Sequence, residues 1–208
     1  MSKTVVDYTL YLVTDREVLK GRELTASIEK AIQGGVTLVQ LREKDVSSLE
    51  FYEIALKVKE ITDKYNIPLI INDRLDVVLA VDAAGLHVGQ SDFSCELARR
   101  LLGKDKIIGI STSSLEEAEK AEKDGADYIG VGAIFPTGTK LDADSVTINT
   151  LKEIKKRANI PVVAIGGINE ENYVKLKETE IDGLAIISAI LGKEDIKAAA
   201  EVFKNWKK

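Results

Sequence analysis

The chain has very few of the residues on which disulfide bonds and histidine-based catalysis depend. Its 208 residues include one cysteine, Cys95, and one histidine, His87. A single cysteine excludes an internal disulfide and fits a reducing compartment. No serine–histidine–aspartate triad is recognisable around Ser111 or Ser113. Because His87 lies inside an apolar run rather than at its end, we expect a packed strand residue rather than a base.

Long apolar runs and an excess of positive charge are also absent. No apolar stretch approaches the ~20 residues of a membrane span, and the segment from Met1 lacks a signal-peptide pattern. The net charge of -5 disfavours non-specific nucleic-acid binding, and the tyrosines and phenylalanines form no stacking stripe. We therefore expect a cytoplasmic protein whose partners are small molecules, without nucleic-acid or membrane partners. Its oligomeric state, a homo-oligomer included, stays open.

Short apolar runs alternate with charged segments along the whole chain. The runs lie near 8–13, 36–42, 67–71, 85–88, 107–110, 127–131, 161–165 and 183–187. Segments with helical spacing of apolar residues lie between or after them, at 49–65, 114–123, 151–157 and 196–206. Eight strands, each followed by a helix, predict an α/β protein, a single (β/α)8 TIM-barrel domain over residues 1–208. An open doubly wound sheet is the structural alternative.

The second apolar run ends in alternating polar residues. Alternate side chains of a strand share one face, so Gln40 and Arg42 point opposite to the apolar Leu41. Helices cover the outside of a barrel, so we expect Gln40 and Arg42 to face the mouth, with Lys44 just beyond. Two cations and an amide suit a phosphate-bearing ligand. An internal ion pair between Arg42 and an acidic neighbour is the alternative.

Two aspartates follow the third and fourth runs. Asp73 and Asp92 would both reach the mouth at which the strands end. Two carboxylates repel a phosphate unless a hard cation bridges them, and Mg²⁺ binds one or two carboxylates together with phosphate oxygens. The pair therefore predicts a magnesium site, whereas either aspartate alone would be a routine helix N-cap.

Three further segments fit phosphate binding at the same mouth. Thr137–Lys140 offer two hydroxyls, a flexible backbone and an ammonium, although a solvated turn explains this tetrapeptide equally well. Gly166-Gly167 and Ile187-Ser188 end the seventh and eighth runs, where many barrels bind phosphate through backbone N–H groups. Turn formation is the alternative role of the two glycines.

Taken together and in order, these segments resemble those of the thiamine-phosphate synthase family. The resemblance covers nearly the whole chain and rests on Tyr11–Asp15, Gln40–Lys44, Ile71–Arg74, Gly85–Gln90 with Asp92, Gly109–Ser111, Gly125–Gly132, Thr137–Lys140 and Ala164–Ile168. It implies a transferase assisted by Mg²⁺. Such an enzyme joins an aminopyrimidine methyl pyrophosphate to a thiazole phosphate, with or without a carboxylate, and releases thiamine phosphate and pyrophosphate.

The resemblance also implies a role for each matching position. The pyrimidine pyrophosphate would be bound by Gln40, Leu41, Arg42, Glu43, Lys44, Asn72, Ser111 and Lys140. Mg²⁺ would be held by Asp73 and Asp92. The thiazole phosphate would be held by Thr137, Gly138, Thr139, Gly167, Ile187 and Ser188. The catalytic candidates are Arg42, Lys140 and Ser111, since cations would stabilise charge on the leaving pyrophosphate.

Two other functions compete with this interpretation. A thiazole tautomerase has the same fold, but the resemblance to it would require a histidine where this chain has Ser113. A non-catalytic barrel that binds a phosphate ligand is the second alternative, because a fold does not determine a function. Simple sensing would not need a leaving-group site, and the complete metal and pyrophosphate set therefore favours the synthase.

Overall fold

Eight parallel strands close into a barrel in a computed structural model, which describes residues 5–137 and 146–208. The strands are β1 (Leu10–Val13), β2 (Leu38–Leu41), β3 (Leu69–Asn72), β4 (Gly85–Val88), β5 (Ile107–Thr112), β6 (Tyr128–Val131), β7 (Val162–Ile165) and β8 (Gly183–Ile186). Each strand pairs with the next, and β8 pairs with β1, where Ala185 aligns with Tyr11. The predicted (β/α)8 barrel is confirmed, and the closed order excludes the open sheet.

Helices surround the strands. They are α1 (Arg16–Leu19), α2 (Leu24–Gln33), α3 (Ser48–Lys64), α4 (Leu75–Ala80), α5 (Cys95–Leu102), α6 (Leu115–Lys123), α7 (Ile148–Arg157), α8 (Ser188–Leu191) and α9 (Ile196–Phe203). Several begin at a polar side chain that accepts a hydrogen bond from the first turn, such as Ser47 before α3 and Ser114 before α6. The helices predicted from apolar spacing are therefore present, with small shifts at their ends.

The connection between β7 and β8 differs from the predicted α-helix. It contains a 3-10 helix, Tyr173–Thr179. The preceding Asn172 does not cap this helix, because its side chain accepts from the Asn169 N–H at 2.9 Å and donates to the Gly167 carbonyl at 2.8 Å. The side chain in the capping position is thus used to fix the loop after β7, and the segment winds without a cap.

Strand side chains alternate between two apolar cores, as the two-residue period of a strand requires. Outward-facing residues such as Leu41 pack against the helices. The inward-facing set fills the barrel and consists of Tyr11, Val13, Leu38, Ile70, Ile107, Tyr128, Val163 and Ala185. Gly109 makes room for the ring of Tyr128, since a Cβ there would lie 2.1 Å from Cζ of that residue. This inner core becomes the floor of the mouth.

The C-terminal segment is tied to the opposite end of the barrel. Trp206 is buried, and its indole N–H donates to the Thr9 carbonyl at 2.8 Å. In residues 5–137 and 146–208, no helix has both the length and the apolar character that a membrane span requires. That residues 1–208 form one domain stays a prediction.

Candidate active site

A cavity of about 540 Å³ opens where the strands end. Every strand contributes to its lining, through Tyr11, Gln40, Asn72, His87, Ser111, Tyr128, Val163 and Ala185. The carboxyl ends of barrel strands are the face on which such proteins carry their active sites. The cavity therefore brings together several of the polar strand-end residues that the sequence singled out.

The end of β2 supplies two cations to the cavity. Both Arg42 and Lys44 line it, and the Arg42 backbone N–H is held by Oγ1 of Thr14 at 2.9 Å. Nη1 of Arg42 lies 3.4 Å from Oδ2 of Asp15, which is long for a charge-assisted hydrogen bond. The predicted internal ion pair and the predicted cavity-facing guanidinium thus coexist. Arginine carries five N–H donors, so donors remain for an anionic ligand.

The two residues that alternate with these, Leu41 and Glu43, do not line the cavity. Leu41 is fully buried in the outer core. Glu43 is buried too, and its carboxylate oxygens accept from Nε of Arg16 at 3.0 and 2.9 Å. Burial raises the pKa of Glu43, and Arg16 opposes this shift. The period of two turns the Leu41 side chain toward the outer core, and the binding of the pyrimidine pyrophosphate by Leu41 and Glu43 stays a prediction.

Asp73 and Asp92 line the cavity on the side where β3 and β4 end. Neither caps a helix. The residue at the N-cap of α4 is Arg74, and α5 is capped by Ser94. The N-cap interpretation of the two aspartates is therefore wrong. Asp73 has a left-handed φ of 61°, a conformation in which aspartate is enriched among the non-glycine residues.

The surroundings of the two aspartates bring opposite charges close together. Nζ of Lys44 lies 2.6 Å from Oδ2 of Asp73, and Oδ2 of Asp92 accepts from the Gly89 N–H at 2.8 Å. Partial burial raises the pKa of Asp92, and the carboxylate of Asp73 raises it further. A divalent cation bound beside Asp92 would favour the charged form that burial and the Asp73 carboxylate disfavour. In the part of the chain that the structure describes, no metal-binding group of three or more histidine, cysteine or acidic residues occurs.

The predicted phosphate segments fall into three groups. Thr137 and Ile187 line the cavity, as does Gly166. Gly167 and Ser188 adjoin these residues but are not part of the lining; Gly167 has a φ of +64°, and Ser188 is the first residue of α8. Gly138, Thr139 and Lys140 lie outside the described residues. Binding of the thiazole phosphate by this set stays a prediction.

Five side chains form an unbroken line of hydrogen bonds across the bottom of the cavity. Nε2 of Gln40 donates to Oη of Tyr11 at 2.7 Å, and the hydroxyl oxygens of Tyr11 and Tyr128 are 2.7 Å apart. Oη of Tyr128 lies 2.8 Å from Nδ1 of His87, whose Nε2 lies 2.9 Å from Oγ of Ser111. We call Gln40, Tyr11, Tyr128, His87 and Ser111 the floor chain.

Three members of the floor chain were not predicted as site residues. His87 is buried and packed as expected, yet both of its ring nitrogens have polar partners and its side chain lines the cavity. Tyr11 and Tyr128 sit inside apolar runs that resemble core strands. The two-residue alternation applied to β2 would have placed His87 in line with Gly89 at the mouth, and this signal was available in the sequence.

Fold and cavity together define a class: a closed (β/α)8 barrel with a polar ligand-binding mouth at the carboxyl ends of its strands. Comparison with known proteins narrows this class. The chain belongs to the thiamine monophosphate synthase family, whose model matches residues 10–190. The family resemblance predicted from the motifs is thereby confirmed.

Individual relatives cover nearly the whole chain. Thiamine-phosphate synthase of Clostridium tetani is 65% identical over 196 residues, which are 94% of each chain. Thiamine-phosphate synthase of Alkaliphilus oremlandii is 63% identical over 199 residues, 96% of this chain and 95% of that one. Among solved structures, thiamine phosphate pyrophosphorylase from Pyrococcus furiosus superposes with a TM-score of 0.89 at 40% identity, covering 96% of this chain and 95% of that one.

Proposed function

We propose that the chain is a thiamine-phosphate synthase, a transferase that joins an aminopyrimidine methyl pyrophosphate to a thiazole phosphate and releases pyrophosphate. One observation carries the proposal. In a chain of this family, a single cavity holds the cations Arg42 and Lys44 beside the carboxylates Asp73 and Asp92. A pyrophosphate with a bound divalent cation needs both kinds of group. The proposal includes a cytoplasmic location and small-molecule partners.

Asp73 and Asp92 fit Mg²⁺ by their chemistry. Carboxylate oxygens are ligands that Mg²⁺ prefers, and the ion is commonly held by one or two carboxylates together with phosphate oxygens and water. The raised pKa of Asp92 reflects, after burial, repulsion by Asp73, which a cation would relieve. Bound there, Mg²⁺ would neutralise charge on the pyrophosphate. Lys44, paired with Asp73 at 2.6 Å, would then turn toward a phosphate oxygen.

The cationic side chains act on the leaving group in this proposal. When the bond between the methylene carbon and the pyrophosphate oxygen breaks, negative charge grows on the pyrophosphate. Arg42 would offer paired N–H donors, and Lys44 would offer a point charge. Their stabilisation is largest where the charge is largest, which lowers the barrier. Lys140 is assigned the same role by resemblance and lies outside the described residues.

The second substrate requires placement rather than activation. The thiazole nitrogen has its own lone pair, so it can attack the methylene carbon without a general base. Thr137 and Ile187 line the cavity where the thiazole phosphate would lie, next to Gly167 and Ser188. Gly138 and Thr139 belong to the same proposed set. The protein's contribution to this step is orientation of the two reactants.

A coupling assay tests the proposal. Purified protein is mixed with Mg²⁺ and both substrates, and thiamine phosphate is measured after oxidation to a fluorescent product. We expect product that a chelator abolishes and that Asp73→Asn reduces by about 100-fold or more, because a catalytic metal supplies several kcal/mol. Isomerisation of a carboxylated thiazole phosphate without coupling would instead support the tautomerase, and ligand binding without either reaction would support a non-catalytic barrel.

Asp82→Asn is the matched control for this variant. Like Asp73, Asp82 has a left-handed φ, of 52°, and its carboxylate pairs with a lysine, Lys106. It lies before β4, at the opposite end of the barrel, and does not line the cavity. Asparagine tolerates this backbone conformation as aspartate does. Its activity should match that of the unaltered protein, so that loss in Asp73→Asn reports on the site rather than on the turn.

A further inference from the structure

The number of hydroxyl and N–H hydrogens in the floor chain limits how its hydrogen bonds can be directed. Tyr11 is almost fully buried and Tyr128 is fully buried, and burial raises the pKa of both phenols. Each tyrosine therefore keeps one hydroxyl hydrogen at neutral pH. A neutral His87 contributes one N–H, and Ser111 contributes one O–H. Four hydrogen bonds link the five groups, so the direction of one bond restricts the direction of the next.

The amide of Gln40 sets this direction. Because its Nε2 donates to Tyr11, the Tyr11 hydroxyl has its own hydrogen to give, and Tyr128 is the acceptor. Tyr128 in turn donates to Nδ1 of His87, which places the ring hydrogen on Nε2, the atom facing Oγ of Ser111. With the amide in this orientation, the reverse order would leave the Tyr11 hydrogen without an acceptor among the described residues. An unsatisfied buried donor is costly.

The two ends of the floor chain then present opposite groups to the cavity. At β2, the amide nitrogen of Gln40 is used by Tyr11, which leaves Oε1 as a hydrogen-bond acceptor. At β5, Oγ of Ser111 accepts from His87, which leaves the hydroxyl hydrogen as a donor. Both residues line the cavity. A ligand held between them needs a donor on the Gln40 side and an acceptor on the Ser111 side.

An aminopyrimidine meets this requirement, since it has an amino group as donor and ring nitrogens as acceptors. In the corresponding oxopyrimidine, a carbonyl acceptor replaces the amino group and would face the acceptor Oε1 of Gln40. A free amide would simply rotate to offer Nε2 instead. In the floor chain, that rotation reverses every bond as far as Ser111, whose hydrogen would then point to His87 and away from the ligand.

We propose that Tyr11, Tyr128 and His87 are positioning residues that lock the amide of Gln40 and the hydroxyl of Ser111 into this polarity, and thereby make the site select an aminopyrimidine over the matching oxopyrimidine. The inference rests on the proposed function. A site that hydrogen-bonds a substrate group strongly rejects an analogue without that group, because the analogue leaves buried polar groups of the site unpaired. An apolar pocket discriminates much more weakly between substrates that differ by one methylene.

The first test needs no substrate. Because His87 is the only histidine, ¹⁵N-histidine labelling reports on this ring alone. We expect nuclear magnetic resonance at neutral pH to show a neutral ring with the hydrogen on Nε2 and a bare Nδ1. A ring with the hydrogen on Nδ1, or with both nitrogens protonated, would overturn the polarity whatever reaction the protein catalyses.

The second test measures selectivity. The ratio of kcat/KM for the aminopyrimidine pyrophosphate to that for its 4-oxo analogue is expected to be about 100 or more in the unaltered protein, and to fall about tenfold in Tyr11→Phe and Tyr128→Phe. Tyr8→Phe is the matched control, because the Tyr8 ring packs against the Tyr128 ring in a tilted arrangement, with the ring centroids 4.9 Å apart, but its hydroxyl is not part of the floor chain. A ratio unchanged in both test variants would overturn the proposal.

The two proposals fail in different ways. If the unaltered protein forms no thiamine phosphate from the amino substrate, the proposed function fails while the histidine spectrum still reports the polarity. If coupling proceeds normally and the ratio falls equally in Tyr8→Phe, the floor tyrosines act only through packing. Should one tyrosine variant fail to fold, the other variant and the spectrum of the unaltered protein decide the matter.

Discussion

The rim and the floor of the cavity are built on different physical principles. The rim, formed by Arg42, Lys44, Asp73 and Asp92, consists of charged side chains at least partly open to solvent; the Lys44 side chain is 50% exposed. The floor chain consists of neutral groups, and Tyr11 is 1% exposed. Solvated ions exchange partners at little cost, whereas a buried hydrogen bond that is lost leaves an unsatisfied group. The rim therefore suits charged ligand groups that bind and are released, and the floor suits hydrogen bonds whose direction stays fixed.

The largest expected effect tests the rim. We expect Arg42→Ala to lower kcat/KM by about 10²- to 10³-fold, the loss typical of removing one group aimed at developing charge. The free energy of unfolding should change by only about 1 kcal/mol, because the 3.4 Å contact with Asp15 is long and the Asp15 carboxylate keeps its hydrogen bonds from the Glu17 and Val18 N–H groups. Coupling kinetics and urea unfolding of the same preparation measure the two quantities.

Asp15→Asn provides the control for Arg42. The side chain of Asp15 also caps α1, accepting from Glu17 and Val18, and asparagine keeps a capping oxygen while removing the charge. If Arg42 served mainly as the partner of Asp15, both variants would lose stability to the same degree and activity would follow stability. That result would restore the internal ion pair as the role of Arg42.

The next effect tests the floor. A Cβ at Gly109 would lie 2.1 Å from Cζ of Tyr128, so Gly109→Ala forces the ring to move within a filled barrel. We expect a loss of about 2 to 3 kcal/mol in the free energy of unfolding. Gly130→Ala, where the nearest atom would be Cε1 of His87 at 3.2 Å, should cost clearly less. Equal losses in urea unfolding would show that the floor is not packed around Tyr128.

The same contrast explains what the sequence could and could not predict. The rim residues stand at strand ends, where local alternation and strand order place them at one mouth. The floor chain joins β1, β2, β4, β5 and β6 through the barrel interior. Its contacts depend on closure and ring packing rather than on sequence spacing, so Tyr11 and Tyr128 resemble ordinary core residues. The family resemblance includes every residue of a matched segment, whereas strand alternation separates Leu41, which lies in the outer core, from Gln40 and Arg42, which line the cavity.

Glu43 tests the comparison of rim and floor from another side. It lies in sequence between the rim residues Arg42 and Lys44, but its side chain is buried and pairs with Arg16. Its pKa is raised above the ordinary value of 4.5, mainly by burial and against the influence of Arg16. The folded state therefore binds a proton on the Glu43 carboxylate more tightly than the unfolded chain does. The contribution of Glu43 to stability is complete below the unfolded pKa and is lost as pH rises through the folded pKa.

The test quantity is the difference in unfolding free energy, the value for the unaltered protein minus the value for the Glu43→Gln variant. We expect this difference to fall as pH rises from roughly 4 to 7. Glu29→Gln is the opposite case, because hydrogen bonds from Lys64 and Tyr65 lower the pKa of Glu29. Its contribution is present above the unfolded pKa and is lost as pH falls. In urea unfolding across this pH range, the stability differences for Glu43→Gln and Glu29→Gln should change with pH in opposite directions. If both differences change in the same direction, Glu43 behaves like the solvated charges of the rim.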